Sequence, residues 1–200
     1  MKSTRARFKR YIALEDTVMR KIKELADLGG EIVRVVPAPD GQTYDRVVVL
    51  RKEIKVEIQI TEPGDFLKYG DVRLDLVSAF QFDDWTFRGR SYIEPFCVYT
   101  FLRSIQIMRP GKLYESKAET LAFYVPQPVD LLWLLNMSCL QKNRDTWIQK
   151  YGIYINKKRD EDWESCFVAV DSEDKCLDEC GIKYQGDFED ARTAGDIGLA

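Results

Sequence analysis

The segment from Ile54 to Thr61 reads IKVEIQIT, and its apolar residues alternate strictly with polar ones. A period of two is typical of a β-strand that buries one face and exposes the other. Because Glu57 and Gln59 are two positions apart, the pattern places both side chains on the same face of this strand. The segment therefore predicts a half-buried strand whose polar face carries a carboxylate and an amide.

A helix and two shorter strands are expected before this segment. Apolar residues recur near every 3.6 positions from about residue 7 to residue 28, and Gly29-Gly30 supplies a stop, which predicts a first helix. Strands are expected over residues 31–36 and 46–50, on either side of a turn at residues 38–41. The chain up to Thr61 thus predicts a helix followed by three strands.

The sequence after Thr61 predicts further strands and helices. Asp71, Arg73 and Asp75 alternate with apolar residues, which predicts a strand with a polar face. Later segments are strand-like or, in one case, helical: the strand-like runs are residues 96–107, 120–125, 131–137 and 166–170, and the helix is expected over residues 138–150. Strands and helices of this kind indicate the α/β class.

Length and composition are those of an ordinary globular chain. Hydrophobic residues make up 45% and charged residues 32% of the 200 positions, and a chain of this length suits one domain. We therefore expect an α/β fold with a single domain over residues 1–187, in which a central mixed β-sheet is flanked by helices. Residues 188–200 lack periodicity and are expected to form a flexible C-terminal tail.

The N-terminal segment and the cysteines bear on the location of the protein. The first ten residues carry positive charges without a following apolar run, and no stretch approaches the roughly 18 apolar residues of a membrane span. The five cysteines are odd in number and widely scattered, which favours reduced thiols over a disulfide framework. These observations predict a cytoplasmic protein with no membrane partner.

Charge is unevenly distributed along the chain, and histidine is absent. Residues 160–200 hold 13 acidic side chains against three basic ones, which leaves 27 basic against 20 acidic ones in residues 1–159, a balance of +7. Such a body attracts polyanions, including nucleic acids. Without histidine, imidazole-based catalysis and His-ligated zinc are excluded, so any chemistry has to use carboxylates, lysine, tyrosine, cysteine or an oxygen-liganded metal.

Asp45 is predicted to lie across a hairpin from this polar strand face. If Leu50 pairs with Ile54, the antiparallel register places Asp45 opposite Gln59 and diagonal to Glu57. Opposite Cβ atoms in such a pair are about 4.5–5.5 Å apart, and diagonal ones about 7–8 Å. This geometry allows Asp45 and Glu57 to hold one divalent ion between them.

The arrangement resembles the PD-(D/E)XK nuclease superfamily, which has a restriction-endonuclease-like core of αβββαβ topology. The resemblance rests on Asp45, a gap of 11 residues, and Glu57-Ile58-Gln59, in the family's order of elements over roughly residues 10–80. It implies that Asp45, Glu57 and the carbonyl of Ile58 bind Mg²⁺ or Mn²⁺. The ion would lower the pKa of a bound water for attack on a phosphodiester.

Two residues depart from the family's pattern, and three others are candidate additions to the site. Tyr44 replaces the proline that usually precedes the Asp. Gln59 replaces a lysine that can orient the attacking water and help to deprotonate it, which an amide cannot do. Lys68 and Lys117 are the candidates for the missing cation. Glu15, in the first helix, corresponds to a Glu that often joins the site in this family.

The resulting hypothesis is a Mg²⁺-dependent endonuclease or exonuclease with DNA as its expected partner and RNA as the alternative. The expected nucleic-acid contacts are Arg73, Arg88, Arg90 and Lys117. A second hypothesis is a catalytically inactive nuclease-fold module that binds nucleic acid or a protein partner. A third is an interaction protein with no nucleic-acid role, in which the acidic C-terminal segment is a docking surface or simply aids solubility. A homodimer is compatible with each of them.

Overall fold

A computed structural model of the chain describes residues 4–28, 34–37, 46–49, 53–83, 85–157 and 163–185. In chain order its helices are α1 (Thr4–Leu28), α2 (Pro63–Tyr69), α3 (Val98–Arg103), α4 (Lys112–Glu115), α5 (Met137–Tyr151) and α6 (Lys175–Asp178). Its strands are β1 (Arg34–Pro37), β2 (Arg46–Val49), β3 (Glu53–Ile60), β4 (Asp71–Phe82), β5 (Tyr92–Ile93), β6 (Ile105–Pro110), β7 (Thr120–Val125), β8 (Leu131–Asn136), β9 (Ile153–Lys157), β10 (Glu164–Asp171) and β11 (Gly181–Gln185). The fold is α/β, as the sequence predicts.

The strands form two sheets in this described part of the chain. The first has the order β1-β2-β3-β7-β8-β11 and is mixed, because β3 and β7 run parallel while the other neighbours are antiparallel. The second has the order β5-β9-β10-β4-β6 and is antiparallel throughout. The first sheet agrees with the predicted mixed sheet, but the second sheet was not expected and arises because β4 pairs with β10 and β6. Alternation of apolar and polar residues predicts a strand but does not indicate which other strand it pairs with.

The chain divides into two compact units, each assembled from separate segments. Unit 1 comprises Met1–Tyr69, Lys117–Asn136 and Gly181–Ala200, and unit 2 comprises Gly70–Ser116 and Met137–Cys180. The mixed sheet belongs to unit 1 and the antiparallel sheet to unit 2. The single domain expected over residues 1–187 stays a prediction, and residues 188–200, expected to form a tail, lie outside the described residues.

In unit 1, helix α1 packs against one face of the mixed sheet. Val18 and Met19 of α1 are buried with Val56 and Ile58 of β3. The same cluster includes residues of β7 and β8, namely Ala122, Tyr124 and Leu132. The apolar stripe of α1 and the apolar face of β3 therefore form one core, in agreement with the 3.6-residue and two-residue periods of the sequence.

The register between β2 and β3 differs from the expected one by two positions. Val48 pairs with Ile54, whereas the sequence-based hairpin pairs Ile54 with Leu50. Because side chains alternate with a period of two, this shift leaves every residue of β3 on its expected face.

In unit 2, the apolar segment at residues 96–107 is mainly helical, although it was expected to be a strand. A 3-10 helix covers Pro95–Cys97, α3 follows, and only β6 is extended. Proline at the first position suits a helix start, and Val98 and Phe101 are buried three residues apart, which is a helical spacing. The helix expected over residues 138–150 is confirmed as α5.

A disulfide in unit 2 corrects the expectation that all five cysteines are free thiols. Cys139 of α5 is bonded to Cys180, which follows α6, and their Cα atoms are 5.4 Å apart. The two cysteines are 41 residues apart in sequence, so their spacing alone gave no indication of the bond. Cys97, Cys166 and Cys176 are free. No helix among the described residues is both long and apolar enough to cross a membrane.

Candidate functional site

The predicted metal ligand Glu57 is a buried acid on an interior strand. β3 lies between β2 and β7, and Glu57 pairs with Leu121 of β7. Only 5% of Glu57 is exposed. Because α1 packs against Val56 and Ile58, and side chains alternate along a strand, Glu57 points away from α1. A carboxylate is costly to bury unless it is paired, hydrogen-bonded or bound to a metal. Burial of Glu57 is therefore unusual for an acidic side chain.

Gln59 lies on the same face of β3 as Glu57. It is partly buried and pairs with Phe123 of β7. The ring of Phe123 lies 6.1 Å from the ring of Phe66 in α2. Helix α2 therefore packs against the part of this face that carries Gln59. The structure brings the carboxylate and the amide of the motif together on one face.

Asp45 lies outside the described residues. The described ladder between β2 and β3 ends with Arg46 opposite Val56. In the sequence, Asp45 directly precedes Arg46 and Glu57 directly follows Val56. Among the residues that the structure describes, no group of three or more Asp, Glu or Cys side chains is arranged to hold a metal ion. The proposed metal-binding pair includes Asp45, which is not one of the described residues, so this observation does not apply to that pair.

Glu15 and Ile58 are both placed on the α1 side of β3. Glu15 is a partly buried residue of α1, which packs on the face formed by Val56 and Ile58. Ile58 is itself buried in that core. Glu15 and Glu57 therefore lie on opposite sides of the strand, and the structure does not bring them to one face.

The two candidate lysines lie in different parts of unit 1. Lys68 is exposed on α2, where its Nζ donates a hydrogen bond of 2.8 Å to Tyr69 Oη. This hydrogen bond raises the pKa of Lys68 above its usual value. Lys117 is exposed in the segment that leads into β7, and the amide of Glu119 donates to the carbonyl of Lys55 at 2.8 Å. The segment carrying Lys117 therefore adjoins the start of β3.

Arg88 and Arg90, two of the predicted nucleic-acid contacts, lie in unit 2 between β4 and β5. The guanidinium of Arg88 is 4.1 Å from the ring centroid of Trp85, and that of Arg90 is 5.3 Å from the ring centroid of Phe87. Phe87 is buried and meets Phe101 edge to face at 5.7 Å. Each arginine thus forms a cation–π contact, which holds its charge at a defined place on the surface.

Arg73, a third predicted contact, lies on β4 of unit 2. Its Nε is 3.2 Å from Asp71 Oδ1, and its guanidinium is 5.6 Å from the ring centroid of Phe167. Both members of this ion pair are partly buried. Its charge is therefore partly balanced by Asp71, which favours a structural role for Arg73 over a phosphate contact.

Asp130 is a buried acid of unit 1 that the sequence motifs did not indicate. It accepts hydrogen bonds from Lys21 Nζ at 3.0 Å and Tyr124 Oη at 3.1 Å. Burial, together with the neighbouring charge of Asp130, raises the pKa of Tyr124 to about 12. Lys21 and Asp130 are 109 residues apart, so only the fold reveals this pair, which stabilises α1 against the turn between β7 and β8.

Asp174 is the corresponding buried acid of unit 2, and it too was not indicated by any motif. It accepts hydrogen bonds from Lys150 Nζ at 2.7 Å, Tyr151 Oη at 2.6 Å and Trp147 Nε1 at 3.3 Å, all from α5. Burial alone would raise the pKa of Asp174, but these hydrogen bonds outweigh it and lower the pKa to about 2. Asp174 also caps α6 by accepting from the amide of Cys176.

Comparisons of the chain with protein-family models, with curated proteins and with solved structures give no match. The resemblance to the PD-(D/E)XK superfamily therefore stays a hypothesis based on the residues described above.

Proposed function

We propose that this protein is a Mg²⁺-dependent nuclease that hydrolyses phosphodiester bonds, with DNA as its substrate. The observation that carries this function is the buried carboxylate of Glu57, which shares a face of the interior strand β3 with Gln59. The elements α1, β1, β2 and β3 follow one another along the chain, in the order of the restriction-endonuclease-like core. This order supports the family resemblance that Asp45 and Glu57 suggest.

Asp45 and Glu57 are the proposed metal ligands, together with the carbonyl of Ile58. Mg²⁺ and Mn²⁺ prefer oxygen ligands, and a buried carboxylate is a group that such an ion stabilises. When bound, the ion lowers the pKa of a coordinated water and neutralises charge on the phosphodiester. Gln59 can orient that water by hydrogen bonding but cannot accept its proton. Lys117, whose segment adjoins β3, is the proposed cation of the site.

The deciding experiment measures cleavage of plasmid, linear and branched DNA and of RNA in Mg²⁺, in Mn²⁺ and in EDTA. Wild type is compared with Asp45→Asn and Glu57→Gln, which keep the shape of each side chain and remove its charge. We expect each variant to lose more than about 100-fold in rate, because even groups that only support metal ligands are typically worth 10–100-fold. Circular dichroism confirms that each variant is folded.

The matched control is Glu62→Gln, which removes an acid of the same unit whose carboxylate forms an exposed ion pair with Arg10. This variant should cleave at the wild-type rate. Cleavage by Glu57→Gln or Asp45→Asn at the wild-type rate would overturn the proposed site. Absence of cleavage by wild type in both metals would overturn the proposed activity.

A second candidate function is a catalytically inactive module that binds nucleic acid or a protein partner. Gln59 favours it, because an amide stands where the family has a lysine and cannot take up a proton from water. The same cleavage experiment separates the two candidates when it is combined with a binding assay. A wild type that binds DNA in EDTA but does not cleave it in Mg²⁺ or Mn²⁺ would be such a module.

A further inference from the structure

The most exposed large aromatic groups of unit 2 include Trp85, which begins the loop Trp85–Arg90 (the Trp85 loop). The side chain of Trp85 is 78% exposed. Arg88 lies over one face of this ring at 4.1 Å from its centroid. With one face against a guanidinium and most of its surface in solvent, Trp85 presents an open face to a flat ligand.

The Trp85 loop is held in place by contacts beneath and beside it. Phe87 is only 4% exposed and packs on Phe101. The amide of Arg90 donates to the carbonyl of Phe87, which closes a turn, and Lys157 Nζ of β9 donates to the carbonyl of Gly89 at 2.9 Å. Gly89 has a φ of +91°, which glycine adopts without strain. Trp85 is therefore presented by an anchored turn, which limits the entropy lost on binding.

Among the residues that the structure describes, charge near the Trp85 loop is nearly balanced. Arg88, Arg90 and Lys157 are the cations, while Asp83 precedes the loop and Glu164 lies beside Lys157 and Arg88. Burial raises the pKa of Glu164, and the charges of Lys157 and Arg88 oppose this shift. These described residues supply little general attraction for phosphates, so the affinity of the Trp85 loop has to come largely from stacking on Trp85.

Stacking on an exposed ring selects for bases that are not already stacked in a duplex. In double-stranded nucleic acid the base faces are covered by their neighbours, whereas single strands offer them freely. We infer that the Trp85 loop is a binding site for single-stranded nucleic acid, in which Trp85 stacks on an unpaired base and Arg88 and Arg90 contact the adjoining backbone. This role rests on the nucleic-acid function proposed above, but it does not require catalysis.

The test measures binding of one labelled oligonucleotide, single-stranded and as a duplex, in EDTA so that no cleavage occurs. We expect wild type to bind the single strand more tightly. Trp85→Ala should weaken single-strand binding about tenfold, as loss of one stacked base does, and should leave duplex binding unchanged. Trp85→Phe should restore most of the affinity, because a smaller ring still stacks.

Two comparisons make the result specific to the Trp85 loop. Phe96→Ala removes an aromatic side chain of the same unit that is 79% exposed, and it should leave single-strand binding unchanged. Arg88→Ala should reduce the slope of log affinity against log salt by about one, whereas Trp85→Ala should leave that slope unchanged.

Three outcomes would overturn the inference: wild type that binds no single strand, Trp85→Ala that binds it as well as wild type, or equal losses on single strand and duplex. None of them depends on Glu57, because binding is measured without metal. Absence of cleavage by wild type, without any of these three outcomes, would count against the proposed nuclease activity and not against the Trp85 loop.

Discussion

The two units differ in the residues with which each is proposed to act. In unit 1 the acid Glu57 is buried on an interior strand beside the amide Gln59. In unit 2 the ring of Trp85 is exposed in a loop, with Arg88 against it. A buried acid suits a small ion, whereas an exposed ring suits a large flat ligand. Catalysis and binding are therefore proposed for different units, and separate substitutions should remove each of them.

The units are alike in how each stabilises a buried carboxylate. Asp130 accepts from a lysine and a tyrosine, and so does Asp174. The difference lies in the origin of the donors. In unit 2 the lysine and tyrosine are neighbours on α5. The same helix also carries Cys139, which forms the disulfide with Cys180. In unit 1 Lys21 comes from a helix 109 residues away. Unit 2 should consequently be the more sensitive to changes at one helix.

The largest expected effect is removal of the disulfide by Cys139→Ser. Closing a loop with a sequence separation of 41 residues stabilises the folded chain by roughly 4 kcal/mol in the chain-entropy model. Denaturant unfolding should shift by an amount of this order, and hydrogen exchange should show the loss of protection in α5 and α6 but not in β3 and β7. Cys97→Ser, which removes a free thiol, is the control and should change little. Equal stability of wild type with and without reductant would contradict the prediction.

The next effect concerns Asp174. Its pKa is lowered from 3.8 to about 2 in the folded protein, which corresponds to about 2 kcal/mol. A lowered carboxylate pKa stabilises the fold at any pH above the unfolded value, and this stability is lost as pH falls from about 4 to about 2. Asp174→Asn should therefore be less stable than wild type at pH 7, and the difference should shrink at pH 2.5. Urea unfolding at both pH values measures it, and a difference independent of pH would count against the hydrogen-bonded carboxylate.

Local patterns in the sequence predicted several of the individual elements. The strand predicted from the alternation between Ile54 and Thr61 is β3, and the helix predicted from the 3.6-residue period is α1. The helix expected near residues 138–150 is α5. Each of these patterns reflects which side of one element is buried, and burial against a single layer leaves a regular period. The face shared by Glu57 and Gln59 could therefore be predicted even though the register was wrong by two positions.

Features that depend on contacts between distant segments could not be predicted in this way. Alternation in β4 does not distinguish β10 from β3 as a partner, so two sheets appeared where one was expected. Cys139 and Cys180, 41 residues apart in sequence, meet only in the folded chain. The same limit applies to Glu15, whose place on α1 followed from the sequence but whose side of β3 did not. Long-range pairing is a property of the whole chain, and no single period encodes it.

The smallest expected effect is that of Tyr124→Phe in unit 1, which removes the hydrogen bond to Asp130 and should cost about 1 kcal/mol at pH 7. The pKa of Tyr124 is raised from 10.0 to about 12, so the neutral phenol is favoured in the fold. Its stabilisation is complete below pH 10 and is lost as pH rises toward 12. Wild type should therefore lose stability over this range more steeply than Tyr124→Phe.

Arg10→Ala is the control for this last change, because it breaks an ion pair of the same unit whose side chains are 61% and 41% exposed. Exposed pairs contribute roughly 0–1 kcal/mol, so Arg10→Ala should change the stability little at each pH. Denaturant unfolding of the three proteins at pH 7, 9 and 11 compares them directly. If Tyr124→Phe and wild type fell in parallel above pH 10, the phenol of Tyr124 would not be the group that titrates, and its hydrogen bond to Asp130 would not be the source of the pH dependence.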